Sequence, residues 1–331
     1  MSWSSIGVLG SGAWGSALAQ SQAQRGDGVL LYARNPALAA EITATRSNQA
    51  YLPGISLDAR LSASADLTAL AQREILLLVP PAQHLRALAR QLKPLLGPSH
   101  TVVICSKGIE QGSGLLLDRV IADELPGISA AVLSGPGFAS DVARGLPAAL
   151  TLACHDEARG RALCARLSHP AFRLYWSADV TGVALGGSVK NVLGIAAGIL
   201  DGKKLGGSAH AALVTRGFAE LRRLGDALGA RAETLMGLSG LGDLILTCGS
   251  AQSRNMSLGR ALGQGQSLAD VLGARRAVTE GVYTAAAVAR LARAHGIEMP
   301  ISSAVAAILD GSLTVDSAIS GLLNRPLKAE D

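Results

Sequence analysis

The chain has 331 residues, of which 49% are hydrophobic and only 3% aromatic, and its formal net charge is +5. This length predicts two domains, because single cores rarely grow beyond about 250–300 residues. The basic residues are scattered and stacking aromatics are few, which argues against a nucleic-acid-binding protein and suits a small anionic partner instead.

The cysteines and the N-terminus indicate the compartment. The four cysteines form no CxxC pair and no metal-ligand grouping with histidine, so we expect free thiols in a reducing compartment and no metal site. The first residues lack the basic and apolar regions of a signal peptide, and no run approaches the roughly 18 apolar residues of a membrane span. These features predict a cytoplasmic protein without a membrane span.

The first predicted element is a short apolar strand, Ile6–Leu9, which runs into three glycines and then an alanine-rich helix. Gly10 would make the tight turn, Gly12 would let the backbone approach a pyrophosphate, and Gly15 would let helix and strand pack closely. The helix N-terminus adds N–H groups and a positive dipole end. The strand before and the helix after favour a dinucleotide site over a chance glycine-rich turn.

The second predicted strand, Val29–Tyr32, ends where an acidic residue usually binds the ribose 2′-hydroxyl of the cofactor. This chain has Arg34 there instead, and a guanidinium suits a 2′-phosphate. The cofactor prediction is therefore NAD(P)(H), leaning towards NADP(H). The alternative is that Arg34 is a solvated residue at the end of the strand.

The remaining pattern divides the chain in two. Buried strands are predicted at 74–79, 101–105, 130–133, 148–153 and 172–176, with helices at 36–45, 84–95, 115–124 and 157–167. This alternation predicts a doubly wound parallel sheet with helices on both faces. From about residue 180 only helices are predicted, at 183–200, 211–228, 256–262, 268–272, 282–295 and 300–309. We therefore predict a Rossmann-type α/β domain over residues 1–180 and an all-α substrate domain over 181–331.

Two lysines are candidate catalytic residues. Lys107 directly follows a buried strand, at the sheet edge where α/β folds bind their ligands, although an exposed loop lysine would look the same. Lys190 lies in an apolar, glycine-rich helix, where burial would lower its pKa and let it exchange a proton near neutral pH. The alternative is that Lys190 extends to the surface.

A third group of polar residues lies in the helical half. Asp243 stands among glycines, and Ser253, Arg254 and Asn255 follow it. The planar guanidinium of Arg254 suits phosphate oxygens. Ordinary loop chemistry explains each residue separately, but their occurrence together with the two lysines favours an anion-binding site.

Several motifs, in their order and separation, resemble a known family over nearly the whole chain. They are Gly10-x-Gly12-x-Trp14-Gly15, Ser106-Lys107-Gly108, Ser134-Gly135-Pro136-x-Phe138-Ala139, Gly186-Gly187-x-Val189-Lys190-Asn191, Thr215-Arg216-Gly217, Gly240-x-Gly242-Asp243-Leu244, Ser253-Arg254-Asn255 and Glu280-Gly281. This set resembles the bacterial-type NAD(P)-dependent sn-glycerol-3-phosphate dehydrogenases. The resemblance implies interconversion of sn-glycerol 3-phosphate and dihydroxyacetone phosphate by hydride transfer, supplying glycerol 3-phosphate for glycerophospholipid synthesis.

The resemblance also implies residue roles. Lys190 would be the catalytic proton donor and acceptor, helped by Lys107 and oriented by Asp243. Cofactor-binding positions would be Gly10, Gly12, Ala13, Trp14, Gly15, Arg34, Lys107, Ala139, Arg254, Val278 and Glu280. Substrate-binding positions would be Lys107, Gly135, Gly137, Lys190, Asp243, Ser253, Arg254 and Asn255.

Four positions depart from the pattern of the family. Ala13 stands where serine is common, which removes a side-chain contact to the pyrophosphate, and Gly137 stands where the family often has serine or threonine. Ser208 and His210 occupy positions where asparagine and arginine also occur. None of these changes removes a charged group that the mechanism requires.

The sequence leaves two other functions open. One is a related two-domain dehydrogenase acting on a β-hydroxyacid. The other is a non-catalytic NADP(H)-binding sensor, which the presence of two candidate catalytic lysines disfavours. The sequence also leaves open a homodimer, feedback inhibition and the relative use of NADPH and NADH.

Overall fold

A computed structural model describes residues 3–274 and 278–326. Within these residues, eight strands form one sheet. The strands are β1 (Ile6–Leu9), β2 (Val29–Tyr32), β3 (Leu61–Ser64), β4 (Ile75–Leu78), β5 (Thr101–Ile104), β6 (Ser129–Ser134), β7 (Ala148–Ala153) and β8 (Phe172–Ser177).

Helices alternate with these strands. They are α1 (Ala13–Arg25), α2 (Pro36–Thr45), α3 (Leu67–Leu70), α4 (Leu85–Leu92), α5 (Leu117–Glu124), α6 (Ala139–Ala143) and α7 (Glu157–Leu167). Alternate residues of β4 enter two separate cores, with Ile75 and Leu77 in one and Leu76 and Leu78 in the other. Since side chains alternate across a strand, the sheet is covered on both faces.

The strand order determines which residues meet at one edge of the sheet. The order is β3-β2-β1-β4-β5-β6-β7-β8, and the first six strands run parallel. This is the strand order of dinucleotide-binding sheets, whose ligands lie beyond the carboxyl ends of the strands. The predicted Rossmann-type sheet is therefore confirmed.

The last two strands differ from the predicted parallel arrangement. β7 pairs antiparallel with β6, and β8 runs parallel to β7. The connection from β6 to β7 contains only the five-residue helix α6. Five helical residues rise about 7.5 Å, whereas a six-residue strand spans about 20 Å. A helix this short does not carry the chain back along the sheet, so the next strand runs the opposite way.

The second half of the described chain is helical, as predicted. Its helices are α8 (Val180–Gly202), α9 (Gly206–Ala227), α10 (Ala232–Met236), α11 (Asp243–Gly249), α12 (Arg254–Gly263), α13 (Leu268–Gly273), α14 (Glu280–Ala294), α15 (Pro300–Leu309) and α16 (Val315–Leu323). A π-helical turn, Leu238–Gly242, precedes α11.

α8 is the central helix of this half. A Cβ on Gly198 would lie 2.0 Å from the carbonyl oxygen of Met256, and one on Gly259 would lie 2.0 Å from that of Ile195. Glycines on both helices therefore let α8 and α12 pack backbone against backbone. One continuous hydrophobic core runs from the sheet through α8 to α14 and so joins the two halves.

α8 is also long and apolar enough to cross a membrane by length and composition, with a mean hydropathy of 1.6. However, 94% of its most apolar window is buried inside the protein, as in the core helix of a globular fold. The sequence predicts a helix at 183–200 but contains no uninterrupted apolar run of that length, because Ser188, Lys190 and Asn191 interrupt it.

Candidate active site

The glycine turn after β1 has the geometry of a phosphate cradle. Gly10 has φ +124°, and a Cβ there would lie 2.7 Å from the carbonyl oxygen of Val79. A Cβ on Gly15 would lie 1.8 Å from the carbonyl oxygen of Gly10, so α1 and β1 meet at van der Waals distance only because this residue is glycine. Around Gly12, apart from the residue itself and its two chain neighbours, no atom of the described residues lies within 4 Å of the Cβ position. Packing explains the first and third glycines, and the second faces open space.

Trp14 and its neighbours lie beside this turn. Ala13 is the first residue of α1, whose N-terminus is capped by no side chain of the residues that the structure describes. The indole Nε1 of Trp14 is buried and has no hydrogen-bond partner among the described residues. Its ring would lie 3.3 Å from a Cβ on Gly137, so the glycine at that position leaves room for the tryptophan. Ala139 begins α6 nearby.

The carboxyl ends of the parallel strands form a continuous track. Arg34 follows β2 and is exposed, and β2 pairs directly with β1, which leads into the glycine turn. Next in the sheet comes the end of β4, and then that of β5, which is followed by Lys107. The end of β6, with Gly135, comes last. Gly135 has φ +149°, and a Cβ there would lie 2.9 Å from the Cα of Leu150.

Helix α14 brings a second group of residues to the end of β4. The Ala82 N–H donates to Glu280 Oε1 at 3.1 Å, and Arg254 Nη1 donates to the carbonyl oxygen of Val278 at 2.9 Å. Burial raises the pKa of Glu280 from 4.5 to about 7, opposed by the Ala82 N–H and the charge of Arg254. The structure therefore places Arg254, Val278 and Glu280 together, facing the dinucleotide half.

The centre of the site is a carboxylate between two lysines. Lys190 Nζ lies 2.6 Å from Asp243 Oδ1, and Lys107 Nζ lies 2.6 Å from Asp243 Oδ2. Lys107 also donates to the carbonyl oxygen of Gly135 at 2.9 Å, and Lys190 donates to Thr247 Oγ1 at 2.9 Å. Three segments that are far apart in the chain thus meet at one point.

Lys190 is buried and does not extend to the surface. It is 9% exposed and Asp243 only 1%. Burial lowers the pKa of Lys190 from 10.5 to about 8; Asp243 opposes this shift and the charge of Lys107 adds to it. The predicted burial of Lys190 is therefore found, and the alternative that it extends to the surface is wrong.

Two glycines before Lys190 explain how the lysines approach each other. A Cβ on Gly187 would lie 2.4 Å from Ser134 Oγ and 3.6 Å from Lys107 Cδ. A Cβ on Gly186 would lie 2.6 Å from the carbonyl oxygen of Ser239, in the π-helical turn that leads to Asp243. Because both residues lack a side chain, α8 packs directly against β6 and against this turn.

Ser253 and Asn255 already make internal hydrogen bonds. Ser253 caps α12 and accepts from the Met256 N–H at 3.2 Å. The Asn255 amide donates to Asn191 Oδ1 at 2.9 Å and accepts from the Gly281 N–H at 3.0 Å. Asn255 therefore ties α12 to α8 and α14, which leaves its side chain less to offer a ligand than the sequence suggested.

Thr247 and Asn191 are site residues to which the sequence reasoning gave no role. Thr247 follows Asp243 by four residues on α11, so both side chains share one helix face. That spacing was a usable signal. Asn191 acts through Asn255, and nothing in the sequence pattern showed this contact. Ser208 is exposed and His210 half-buried, both in the first turns of α9.

The described part of the chain contains no cluster of side chains that could bind a metal ion. No group of three or more histidine, cysteine, aspartate or glutamate side chains there is arranged to hold a metal ion. All four cysteines are free and buried.

A dinucleotide-type sheet whose edge carries a buried lysine of lowered pKa defines a class, the nicotinamide-dependent oxidoreductases. Comparison with known proteins narrows it. The family model for the N-terminus of NAD-dependent glycerol-3-phosphate dehydrogenase matches residues 5–160, and that for its C-terminus matches residues 179–320. The chain therefore belongs to the NAD-dependent glycerol-3-phosphate dehydrogenase family.

The chain is also similar to individual relatives over nearly the full length of both proteins. The chain is 56% identical to glycerol-3-phosphate dehydrogenase (NAD(P)+) of Caulobacter vibrioides, covering 100% of both chains. It is 54% identical to the protein of the same name from Parvibaculum lavamentivorans, covering 100% of this chain and 99% of the relative. The crystal structure of glycerol-3-phosphate dehydrogenase from Coxiella burnetii superposes with a TM-score of 0.94 at 40% identity, covering 98% of this chain and 99% of that one.

Proposed function

We propose that the protein interconverts sn-glycerol 3-phosphate and dihydroxyacetone phosphate with NAD(P)(H). The observation that carries the proposal is the Asp243 carboxylate, which holds Lys107 and Lys190 at 2.6 Å each beside the carboxyl ends of the parallel strands. A site of this kind offers a mobile proton and a fixed positive charge, which carbonyl reduction requires in addition to a hydride from the nicotinamide. Membership of the family supports the same reaction.

The residues at the sheet edge fit a dinucleotide. Gly10 and Gly15 bring the backbone of the turn close to β4 and α1, and Gly12 faces open space at the N-terminus of α1. Phosphates bind well where such a helix N-terminus is accessible. Nε1 of Trp14, which has no hydrogen-bond partner in the described part of the chain, supplies a further donor beside the turn. When bound, the nicotinamide supplies or accepts the hydride at the substrate carbon.

The lysines act at the substrate oxygen. During reduction negative charge grows on that oxygen, and the Lys190 ammonium stabilises it and delivers the proton from Nζ. Lys107 adds a second positive charge, and its bond to the carbonyl oxygen of Gly135 fixes its position. Asp243 orients both ammonium groups. In the oxidising direction neutral Lys190 takes the proton from the substrate hydroxyl.

The phosphate of the substrate has a binding place at the start of α12. Arg254 is the first residue of this helix, and its guanidinium matches the geometry of phosphate oxygens. The N-terminal turn of a helix also attracts anions through its N–H groups and dipole. Ser253 and Asn255 support this place mainly by fixing α12, through the helix cap and the bonds to α8 and α14.

The decisive experiment follows nicotinamide absorbance while purified protein is mixed with dihydroxyacetone phosphate and NADPH or NADH. Oxidation of the cofactor is expected, with no comparable rate on a panel of β-ketoacids. A rate on the ketoacids alone would identify the protein as a hydroxyacid dehydrogenase. Binding of cofactor without oxidation by any substrate would identify a sensor, and either result would overturn the proposal.

Arg34 supports a preference for NADP(H). It is exposed at the end of β2, where an acidic residue would otherwise meet the ribose 2′-hydroxyl. A charged hydrogen bond is worth about 1.5–3 kcal/mol. The substitution Arg34→Ala should therefore raise the KM for NADPH about tenfold or more and leave the KM for NADH nearly unchanged. Equal effects on both cofactors would contradict this role.

The wider context follows from the same proposal. We place the boundary between the dinucleotide domain, 1–180, and the helical domain, 181–331, just after β8, where α8 begins at Val180. A cytoplasmic enzyme making glycerol 3-phosphate would supply glycerophospholipid synthesis. The sequence also leaves a homodimer open. Light scattering on the purified protein would measure the oligomeric state.

A further inference from the structure

A loop after α2 packs against the glycine turn. The carbonyl oxygen of Asn48 accepts from the Tyr51 and Leu52 N–H groups, which closes a tight turn within the loop. The side chain of Asn48 is fully buried, at 0% exposure. The loop continues to residue 58 and there meets α1 again.

The amide of Asn48 holds the glycine turn directly. Its Nδ2 donates to the carbonyl oxygen of Ser11 at 2.8 Å and to Ser16 Oγ at 2.8 Å. Ser16 Oγ in turn lies 3.4 Å from the same carbonyl oxygen. A carbonyl oxygen only accepts hydrogen bonds, so the amide nitrogen, and not Oδ1, must face it.

Fixing the Ser11 carbonyl also fixes the next N–H. In a planar trans peptide the C=O of one residue and the N–H of the following residue point in opposite directions. With the Ser11 carbonyl directed at Asn48, the Gly12 N–H is directed away from Asn48. Gly12 is the residue of the turn whose side faces open space.

We propose that Asn48 is a positioning residue for dinucleotide binding, which holds the Ser11–Gly12 peptide so that its N–H faces the cofactor phosphates. The inference rests on the proposed function, since it concerns the same cofactor. Ala13 makes this positioning matter more, because it offers no hydroxyl and leaves the phosphates to the backbone.

A second observation favours this role over simple packing. Asn48 Oδ1 is buried without a hydrogen-bond partner in the described residues. An unpartnered buried carbonyl carries a free-energy cost, which an apolar side chain would avoid. The two hydrogen bonds from Asn48 Nδ2 to Ser11 and Ser16 offset this cost, and an apolar side chain could not make them.

Gln20 provides a matched control. It is 4% exposed and ties the same loop to the same helix, accepting from the Asp58 N–H at 2.8 Å and donating to the Ser56 carbonyl oxygen at 3.4 Å. These two bonds are to the loop and not to the glycine turn. Gln20→Ala therefore loosens the loop without releasing the Ser11 carbonyl.

The test measures binding of NADPH to the purified protein by fluorescence titration, together with steady-state kinetics. Asn48→Ala should raise the Kd and KM for NADPH about tenfold, while kcat at saturating NADPH and the KM for dihydroxyacetone phosphate stay within about twofold. Gln20→Ala should leave all four values within about twofold. Asn48→Asp, which differs from the native side chain by one group, should weaken binding further, because a carboxylate repels both the Ser11 carbonyl and the phosphates.

The outcomes separate the possibilities. Equal weakening by Asn48→Ala and Gln20→Ala, or unchanged NADPH affinity in a folded Asn48→Ala or Asn48→Asp protein, would overturn the inference. If Asn48→Ala does not fold, Asn48→Asp alone decides. Because fluorescence titration needs no turnover, a protein that binds NADPH through Asn48 but reduces no phosphorylated ketone would refute the proposed function and leave this inference standing.

Discussion

The helical half buries two carboxylates that serve different ends. Asp243 and Glu220 are each 1% exposed. Asp243 lies between the ammonium groups of Lys107 and Lys190. Glu220 accepts from the Ile301 N–H at 2.6 Å, and from the N–H and hydroxyl of Ser302 at 3.0 and 2.9 Å, at the start of α15.

The difference lies in what the partners can do. The N–H groups around Glu220 do not titrate, so this carboxylate has no neighbour with which to exchange a proton. Its role is to cap α15 and to join it to α9. Burial raises the pKa of Glu220, and its three hydrogen bonds oppose the shift. Lys190, beside Asp243, can lose its proton near pH 8. Equal burial therefore marks a structural contact in one place and a candidate reaction centre in the other.

The largest effect is expected from Lys190→Ala. Removing the proton donor should lower turnover with dihydroxyacetone phosphate by about 10³-fold or more. NADPH affinity should persist, since Lys190 lies away from the glycine turn. The control is Lys203→Ala. Lys203 lies at the C-terminal end of the same helix, and its ammonium group pairs with Asp316. Near-normal turnover in Lys190→Ala would refute the assignment, as would equal losses in both variants.

Asp243→Asn should give the next largest effect. The change keeps the shape but leaves two ammonium groups facing each other without the carboxylate, so turnover should fall about 10²-fold. Because Asp243 raises the pKa of Lys190, its loss should also move the pH midpoint of the reduction to lower pH.

A surface aspartate on the same helix as Lys190 serves as the control for that variant. Asp201 is about 40% exposed and pairs with Arg260. Asp201→Asn should leave both turnover and the pH midpoint unchanged. An Asp243→Asn protein with a lower rate but an unshifted midpoint would show that the carboxylate shapes the site without setting the proton affinity of Lys190.

The effect of pH on the rate should be smaller than that of either substitution, and it should have opposite signs for the reduction and the oxidation reactions. Reduction needs the ammonium form of Lys190 and should slow as pH rises through about 8. Oxidation of glycerol 3-phosphate needs the neutral amine and should speed up over the same range. For one group of this pKa, each change amounts to about tenfold between pH 7 and 9. Initial values of kcat/KM in both directions test this, and parallel profiles would exclude Lys190 as the titrating group.

Much of the fold could be predicted because local signals agree with it. α2 and α7 have the predicted bounds, and each begins at a capping side chain, Asn35 and Asp156. β3 was missed because it is an edge strand in which only Leu61 is buried. The reversal of β7 was missed because hydrophobic periodicity carries no information on strand direction.

The residues of the candidate site could be predicted from the sequence, but the contacts between them could not. The setting of Lys190 indicated burial, and the position of Lys107 after a strand indicated a ligand edge. Their meeting at Asp243 depends on how α8 packs against β6 through Gly186 and Gly187, which no local pattern encodes. The second role of Asn255, as a tie between helices, depends on the same packing.

The smallest effect on turnover is expected from Glu220→Gln, and it completes the contrast with Asp243→Asn. The amide keeps one acceptor oxygen but turns an NH₂ group towards N–H donors. Losing one such bond costs about 1–2 kcal/mol, a fall in Tm of about 2–4 °C for a protein of this size. Turnover per folded molecule should stay within about twofold. Calorimetry and kinetics on the two variants would check this. A large loss of turnover in Glu220→Gln at unchanged Tm would mean that the helix cap also shapes the reaction centre, and the two carboxylates would then belong to one site.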